Sequence, residues 1–521
     1  RNGHVTGARF TPDGVGIVYG ASWDGRPYEI YSSRLGSPES RSLGLPPGSL
    51  LSMSKTGEMA VSLGYHNTIW FQVAGTLARV PLAGGGARPV QKLVGHADWS
   101  ADGKTMAIVR YRDGRCLLEY PSGNLLLETE NWLGHCRVSP DGRHVAFGRH
   151  RSPGEGAADL CVVDESRTVR VLARDATNLN GIAWSPAGDE VWWSGINAAQ
   201  AHGIWAADLT GREREIHVSP VRLTLHDVRT DGGTLLTIDD LRTCLMVGGD
   251  SDSSERDLSW FDGSVVSDLS ADGEQVLFIE AHEAENPHYA CYLRQIDGSP
   301  AIRLGGGSVS RFSADGQWVV TNVSYPVHHL ALYPTGFGEP RPVPLDGVDR
   351  IWWAGFHPDG QQLFLVASSP ERPNRLYRVS IDGGTPELLL DEHVQFDRFV
   401  GLPVSADGDR IVLGRVTGEH VSFRVSTKTM DTIDRLTPAD IPLRFDESGS
   451  QLFFVGGGST RRSLDRLDLA SGERTPLAVL EPPSPMGLIY MTKPVVSADG
   501  GRYAYSFMRV VSNLYLVEGL V

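Results

Sequence analysis

All-β is the fold class this sequence predicts, and three observations predict it. Glycine and proline are abundant (60 and 31 of 521 residues), yet 40% of the chain is hydrophobic, so the breakers mark turns around a core. A polar turn ending in glycine recurs from one end of the chain to the other. The segment after each turn alternates apolar and polar residues, the pattern of a strand with two distinct faces.

The turns set the period. They end at Gly14, Gly57, Gly103, Gly142, Gly188, Gly232, Gly273, Gly316, Gly360, Gly408, Gly449 and Gly500, in phrases such as FTPDG, WSADG, VSPDG and FSADG. Steps of 39 to 51 residues, with a mean of 44, match the length of a four-stranded propeller blade. A period-two strand follows each turn, as at Val145 and Phe147, Val276 and Phe278, or Ile411 and Leu413. Third strands are expected at residues 160–163, 289–293 and 514–517, and short fourth strands at 168–172 and 300–304. The repeated aspartates (Asp13, Asp102, Asp141, Asp272, Asp315, Asp359, Asp407, Asp499) are turn formers, because Asp caps its own backbone.

Twelve such blades exceed the four to eight usual in one ring. The expected architecture is therefore tandem β-propellers, most simply two six-bladed rings at residues 1–255 and 256–521. The polar stretch GGDSDSSERD lies between them. A seven-plus-five split and one large ring are the other partitions. Only four residues follow the third strand expected in the last repeat. Its fourth strand is then expected from upstream of Arg1, in a longer parent protein, since rings close by borrowing a strand that covers an open edge.

Charge is 48 basic against 63 acidic residues, −15 in all, which disfavours nucleic-acid and anionic-membrane surfaces. Five scattered cysteines, none spaced C-x-x-C, suit neither a disulfide framework nor a zinc knuckle. No apolar run reaches the roughly 18 residues of a membrane span, and no signal peptide opens the chain. G-x-S-x-G, Walker, H-E-x-x-H and EF-hand patterns are missing, so no cofactor is expected.

Four of the 16 histidines stand at or just before an innermost strand: His4, His96, His135 and His226. Such positions converge on the axial channel, where imidazoles hold a metal or an anionic ligand, or serve as the structural G-H position of WD-like blades. Adjacent His328 and His329 point to opposite strand faces. One member of each tryptophan pair, Trp192-Trp193 and Trp352-Trp353, is expected in the core and the other on a surface that could stack on sugars or peptides. The acidic stretch Asp250, Asp252, Glu255, Asp257 reads as a solvated linker, lacking the glycine and terminal glutamate of a calcium loop.

The S-P-D-G and S-A-D-G turns resemble TolB-type, WD-like propeller repeats over essentially the whole chain. Longer phrases, including ARFTPDGVGIVYGASWDGRPYEIYSS, SKTGEMAVSLG, GTLARVPLAGG, YLRQIDGSPAIRLG and SNLYLVEGL, are similar to the C-terminal propeller region of bacterial eukaryotic-like serine/threonine kinases of the acidobacterial sort. That resemblance implies a non-catalytic sensory module that binds a protein, peptide or small molecule at a ring face or channel. The parent would be membrane-anchored by a segment upstream, with the propellers on the extracytoplasmic side. The H-R-D, D-F-G and V-A-I-K motifs of the kinase itself are missing. The rival expectation is a propeller enzyme with a channel-mouth site, a metal-assisted polysaccharide lyase or a glycosidase.

Overall fold

A computed structural model describes residues 2–520, apart from 70–71, 113, 151–155, 250–253, 282–288, 309, 324–328, 370–371, 397–399 and 416, and without the side chains of 67–69. Among the described residues every regular element is a strand and successive strands of the repeats pair antiparallel, so the chain is an all-β propeller protein. Among the described residues no helix is long and apolar enough to cross a membrane. The first repeat shows the pattern: Gly3–Phe10, Gly16–Trp23, Glu29–Arg34 and Ser40–Ser42 pair in sequence order.

The turns work as their composition predicts. In the third repeat Ser100 Oγ donates to Asp102 Oδ1 (2.7 Å), which accepts from the Lys104 amide (3.1 Å), while the Thr105 amide donates back to Ser100 Oγ (3.1 Å). Gly103 supplies the positive φ of 70° that the reversal needs. The same constellation recurs at Ser139/Asp141, Ser270/Asp272, Ser313/Asp315, Ser405/Asp407 and Ser497/Asp499. The serine hydrogen bond holds each of these carboxyls below its ordinary pKa.

The chain forms two compact units: Arg1–Leu241 with Ser484–Leu488 and Arg509–Val521, and Arg242–Pro483 with Ile489–Met508. In unit 1 the inner strands follow one another in a closed circuit, from Gly3–Phe10 through Gly48–Met53, Arg88–Trp99, Leu133–Val138 and Val169–Trp184 to Leu223–Val228, which lies back against the first. The cores alternate with the sheets in the same order. Val18 and Ile30 meet Val61 and Val80, Val145 and Phe147 meet Val109 and Leu118, and Leu235 closes onto Val5 and Tyr19. Two strands serve two sheets each. Arg88–Trp99 turns at Leu93 (φ 57°), and Val169–Trp184 at Asp175 and Asn178 (φ 55° and 51°).

Unit 2 closes in the same way, Val266 and Phe278 packing on Leu245, Val495 and Ala504. Its tenth repeat departs from the four-stranded expectation. Arg410–Gly414, His420–Arg424 and Thr429–Thr432 form the sheet, and the inner strand is reduced to single bridges, Val404 with Ile411 and Gln395 with Gly414. Pro403, which has no amide hydrogen to donate, occupies that inner position. A cavity of about 400 Å³ opens beside it, with His393, Arg415, His420 and Asp440 among its walls.

The closing strands differ from the sequence expectation. Residues 514–517 do not form a third strand of the last repeat; they belong to one long strand, Tyr503–Val517, which pairs with another, Thr234–Gly248. Each runs from one unit into the other. In unit 1, Leu514 packs on the Val5–Tyr19 core and Val517 on the Leu225–Leu236 core. In unit 2, residues 242–248 and Arg256–Asp257 supply the outer strands of the last repeat, the place for which a strand upstream of Arg1 was expected. Glu255, part of the acidic stretch, accepts hydrogen bonds from the Tyr503 and Tyr505 hydroxyls (3.0 and 2.6 Å). Asp250 and Asp252 lie outside the described residues.

Truncation after Met508 removes the strand that completes the closing sheet of unit 1. Calorimetry is expected to show loss or a marked downward shift of one thermal transition; an unchanged profile would contradict this closure.

Candidate functional site

One position recurs at the end of the inner strands, two residues before the turn serine or its equivalent. In unit 1 it is filled by Arg9, Ser52, Asp98, Arg137, Ala183 and Asp227. Backbone bulges lie close before it in most repeats, for example between Leu50 and Ser52 and between Leu225 and Asp227, and re-aim these side chains. The ring cross-links the inner strands. Asp98 Oδ2 accepts from the Val138 amide (2.9 Å) and Asp227 Oδ2 from the Phe10 amide (3.1 Å). Arg137 pairs with Asp227 (2.8 Å) and approaches Asp98 (3.5 Å). Arg9 donates to the carbonyls of His226 and Leu51, both at 2.7 Å. Burial would lower the pKa of Arg137, but the two carboxylates outweigh it and hold the group charged.

Next to this ring the structure gathers the four candidate histidines. His96 and His135 have ring centroids 5.1 Å apart. His4 Nδ1 is 2.9 Å from the Tyr28 hydroxyl, and His226 Nε2 is 3.2 Å from Thr237 Oγ1. His135 sits in a bulge with φ 51°. His4, His96 and His135 are enclosed by protein on all sides yet keep accessible surface, as side chains on a channel wall do. Burial lowers their pKa values, to about 4 for His4 and His135, about 3 for His226, and well below the ordinary value for His96, so all four are neutral at pH 7.

Sequence reasoning missed the groups around them. Asp239 accepts from Thr224 (2.5 Å) and Thr237 (3.1 Å) through Oδ2, and its field reaches both His4 and His226. Arg222 donates to Asn180 Oδ1, and Asn180 Nδ2 to the Leu223 carbonyl (3.3 Å). The signal was present in the sequence: charged residues at Arg9, Asp98, Arg137 and Asp227 interrupt otherwise apolar inner strands. Among the described residues no group of three or more His, Cys, Asp or Glu is placed to hold a metal ion.

The tryptophan pairs need one correction. Trp192 and Trp193 are both fully buried, in cores on opposite sides of one sheet, because both faces of a blade are covered. Only Trp352 stays half-buried; its partner Trp353 is core. His328 lies outside the described residues, and His329 opens the strand His329–Pro334.

No family model matches the chain, and no curated protein matches it. Solved structures do. The tricorn protease aligns over 99% of this chain at 12% identity and a TM-score of 0.35, and the chain spans 59% of its length. An oligogalacturonate lyase in complex with manganese aligns over 63% of this chain and 90% of its own, at 16% identity and a TM-score of 0.32. The oligogalacturonate lyase from Vibrio parahaemolyticus aligns over 64% and 90%, at 14% and 0.33. Likeness at this level assigns no activity.

The three are described as enzymes and none as a kinase sensor, and the expectation of a non-enzymatic chain is withdrawn. It rested on missing linear motifs. Those exclude only sites built from neighbouring residues, whereas a propeller channel is assembled from side chains far apart in sequence.

The pH dependence follows from the histidines. Their folded pKa values lie below the unfolded value of 6.5, so the unfolded chain takes up protons first as pH falls. Stability from this source is complete above pH 6.5 and drains away towards pH 4, whereas the turn aspartates act at lower pH. Thermal midpoints measured between pH 7 and 4 are expected to fall, and His226→Gln to flatten that slope; an identical slope in the variant would contradict the assignment.

Proposed function

We propose that the chain is a ligand-binding propeller protein whose unit 1 channel takes a neutral, polyhydroxylated molecule, a sugar in chemical class. The observation that carries this reading is the charge balance of the channel. Arg9, Arg137 and Arg222 stand against Asp98, Asp227 and Asp239. The imidazoles among them are neutral, so the channel has no net charge to offer an ion. Each neutral imidazole presents one donor and one acceptor, as does each sugar hydroxyl. Asn180 and Tyr28 add further mixed donors and acceptors.

A second reading, chemistry on the same ligand, is supported by the pair His96 and His135. Their rings lie side by side on the channel wall, 5.1 Å apart between centroids. The kinase-sensor reading is supported by the sequence phrases alone.

Calorimetric titration with a panel of neutral oligosaccharides tests the proposal, with product analysis of the same mixtures for cleavage. Saturable binding is expected, weakened about tenfold or more by His96→Gln or Asn180→Ala. Failure of every neutral saccharide to bind, or unchanged affinity in both variants, would refute it.

A further inference from the structure

The axial ring of unit 2 has a different charge balance. The position two residues before each turn is occupied by Asp268, Arg311, Gly355, Pro403, Arg444 and Val495, and all six border a cavity of about 170 Å³. Among the described residues the charged side chains lining it are Asp268, Arg311 and Arg444, two positive against one negative.

The pairing rule makes Arg444 the exception. Wherever the ring carries an aspartate, the next repeat carries an arginine: Asp98 then Arg137, Asp227 then Arg9 around the closure, and Asp268 then Arg311. In each case the aspartate also accepts the backbone amide of the residue after that arginine, Val138, Phe10 and Phe312. Arg311 repeats the geometry of Arg9, donating to the carbonyl before it and to the carbonyl before the ring aspartate. Arg444 has no such neighbour, since Pro403 precedes it in the ring and Val495 follows. Its guanidinium makes long contacts with two backbone carbonyls, Leu269 (3.4 Å) and Val496 (3.3 Å). No ion pair joins Arg444 to Asp268 among the described residues; the two Asp268 oxygens accept from the Leu269 and Phe312 amides (2.9 and 3.0 Å).

A half-buried guanidinium with no carboxylate partner among the described residues, at the wall of a cavity, is a counter-ion in need of an anion. The excess of one positive charge calls for a single negative charge. The other walls, including Trp353, Phe356, Leu402 and Leu443, are apolar and suit a hydrocarbon body. The volume is that of roughly six water molecules at about 30 Å³ each.

We propose that the axial cavity of unit 2 binds a small aliphatic monocarboxylate, its carboxylate paired with Arg444 and its chain against the apolar wall.

Titration of the full chain at pH 7 and fixed ionic strength with butyrate, butyramide and inorganic phosphate tests this. Butyrate is expected to bind saturably at one site, with butyramide and phosphate at least about tenfold weaker. Arg444→Met should weaken butyrate about tenfold or more, and Arg444→Lys should restore part of the loss. Absent butyrate binding, equal binding of butyramide or phosphate, or unchanged affinity in Arg444→Met would each overturn the proposal. The butyrate–butyramide comparison uses the unmodified chain and decides the matter even if a variant does not fold.

Discussion

Every sheet in this molecule has two apolar faces, and each face is buried only by the sheet beside it. A row of such sheets leaves an apolar surface at each end, and at about 25 cal/mol per Å² that exposure is costly. Curving the row until its ends meet removes both surfaces. The contacts of Leu235 with Val5 and Tyr19, and of Ala504 and Val495 with Val266 and Phe278, are where the two circuits meet themselves. The strands Thr234–Gly248 and Tyr503–Val517 make both closures from one paired element.

Closure dictates what happens at the axis. The inner strands converge there, and side chains two residues before each turn are brought together from opposite ends of the sequence. Charges in such a place need partners. Asp98, Arg137 and Asp227 supply one another and Arg9 bonds to backbone carbonyls of both neighbouring strands, so the unit 1 ring serves as a set of staples between strands. The channel next to it is left to neutral histidines, Asn180 and a balanced set of ions. In unit 2 the staple of Asp268 to the Phe312 strand is kept. Arg444 remains without a carboxylate partner among the described residues, at the wall of the axial cavity.

Much of this could be read directly from residues. The Ser-x-Asp-Gly turns announce themselves because their chemistry is local: Ser139 and Asp141 bond each other and the amides beside them. Strand alternation was equally visible, as at Val145 and Phe147. The convergence of His4, His96, His135 and His226 followed from their shared place in the repeat. The closing strands were not legible, because a strand that continues from one unit into the other looks in sequence like a single ordinary strand. Its partner lies some 250 residues away, and no local signal marks the pairing. The second buried member of Trp192-Trp193 was missed for a related reason, since period-two logic assumes a solvent face that a blade does not have. The activity question was misjudged because motif logic is linear and a channel is not.

Amide hydrogen exchange, resolved by peptide, tests closure most directly. If residues 234–241 and 509–517 are paired strands of one sheet, their amides should be protected to a similar degree and lose protection together as denaturant rises. Rapid exchange across 509–517 while 234–241 stays protected would mean that the C-terminal segment is a loose tail, and that the first circuit is not closed in the way described.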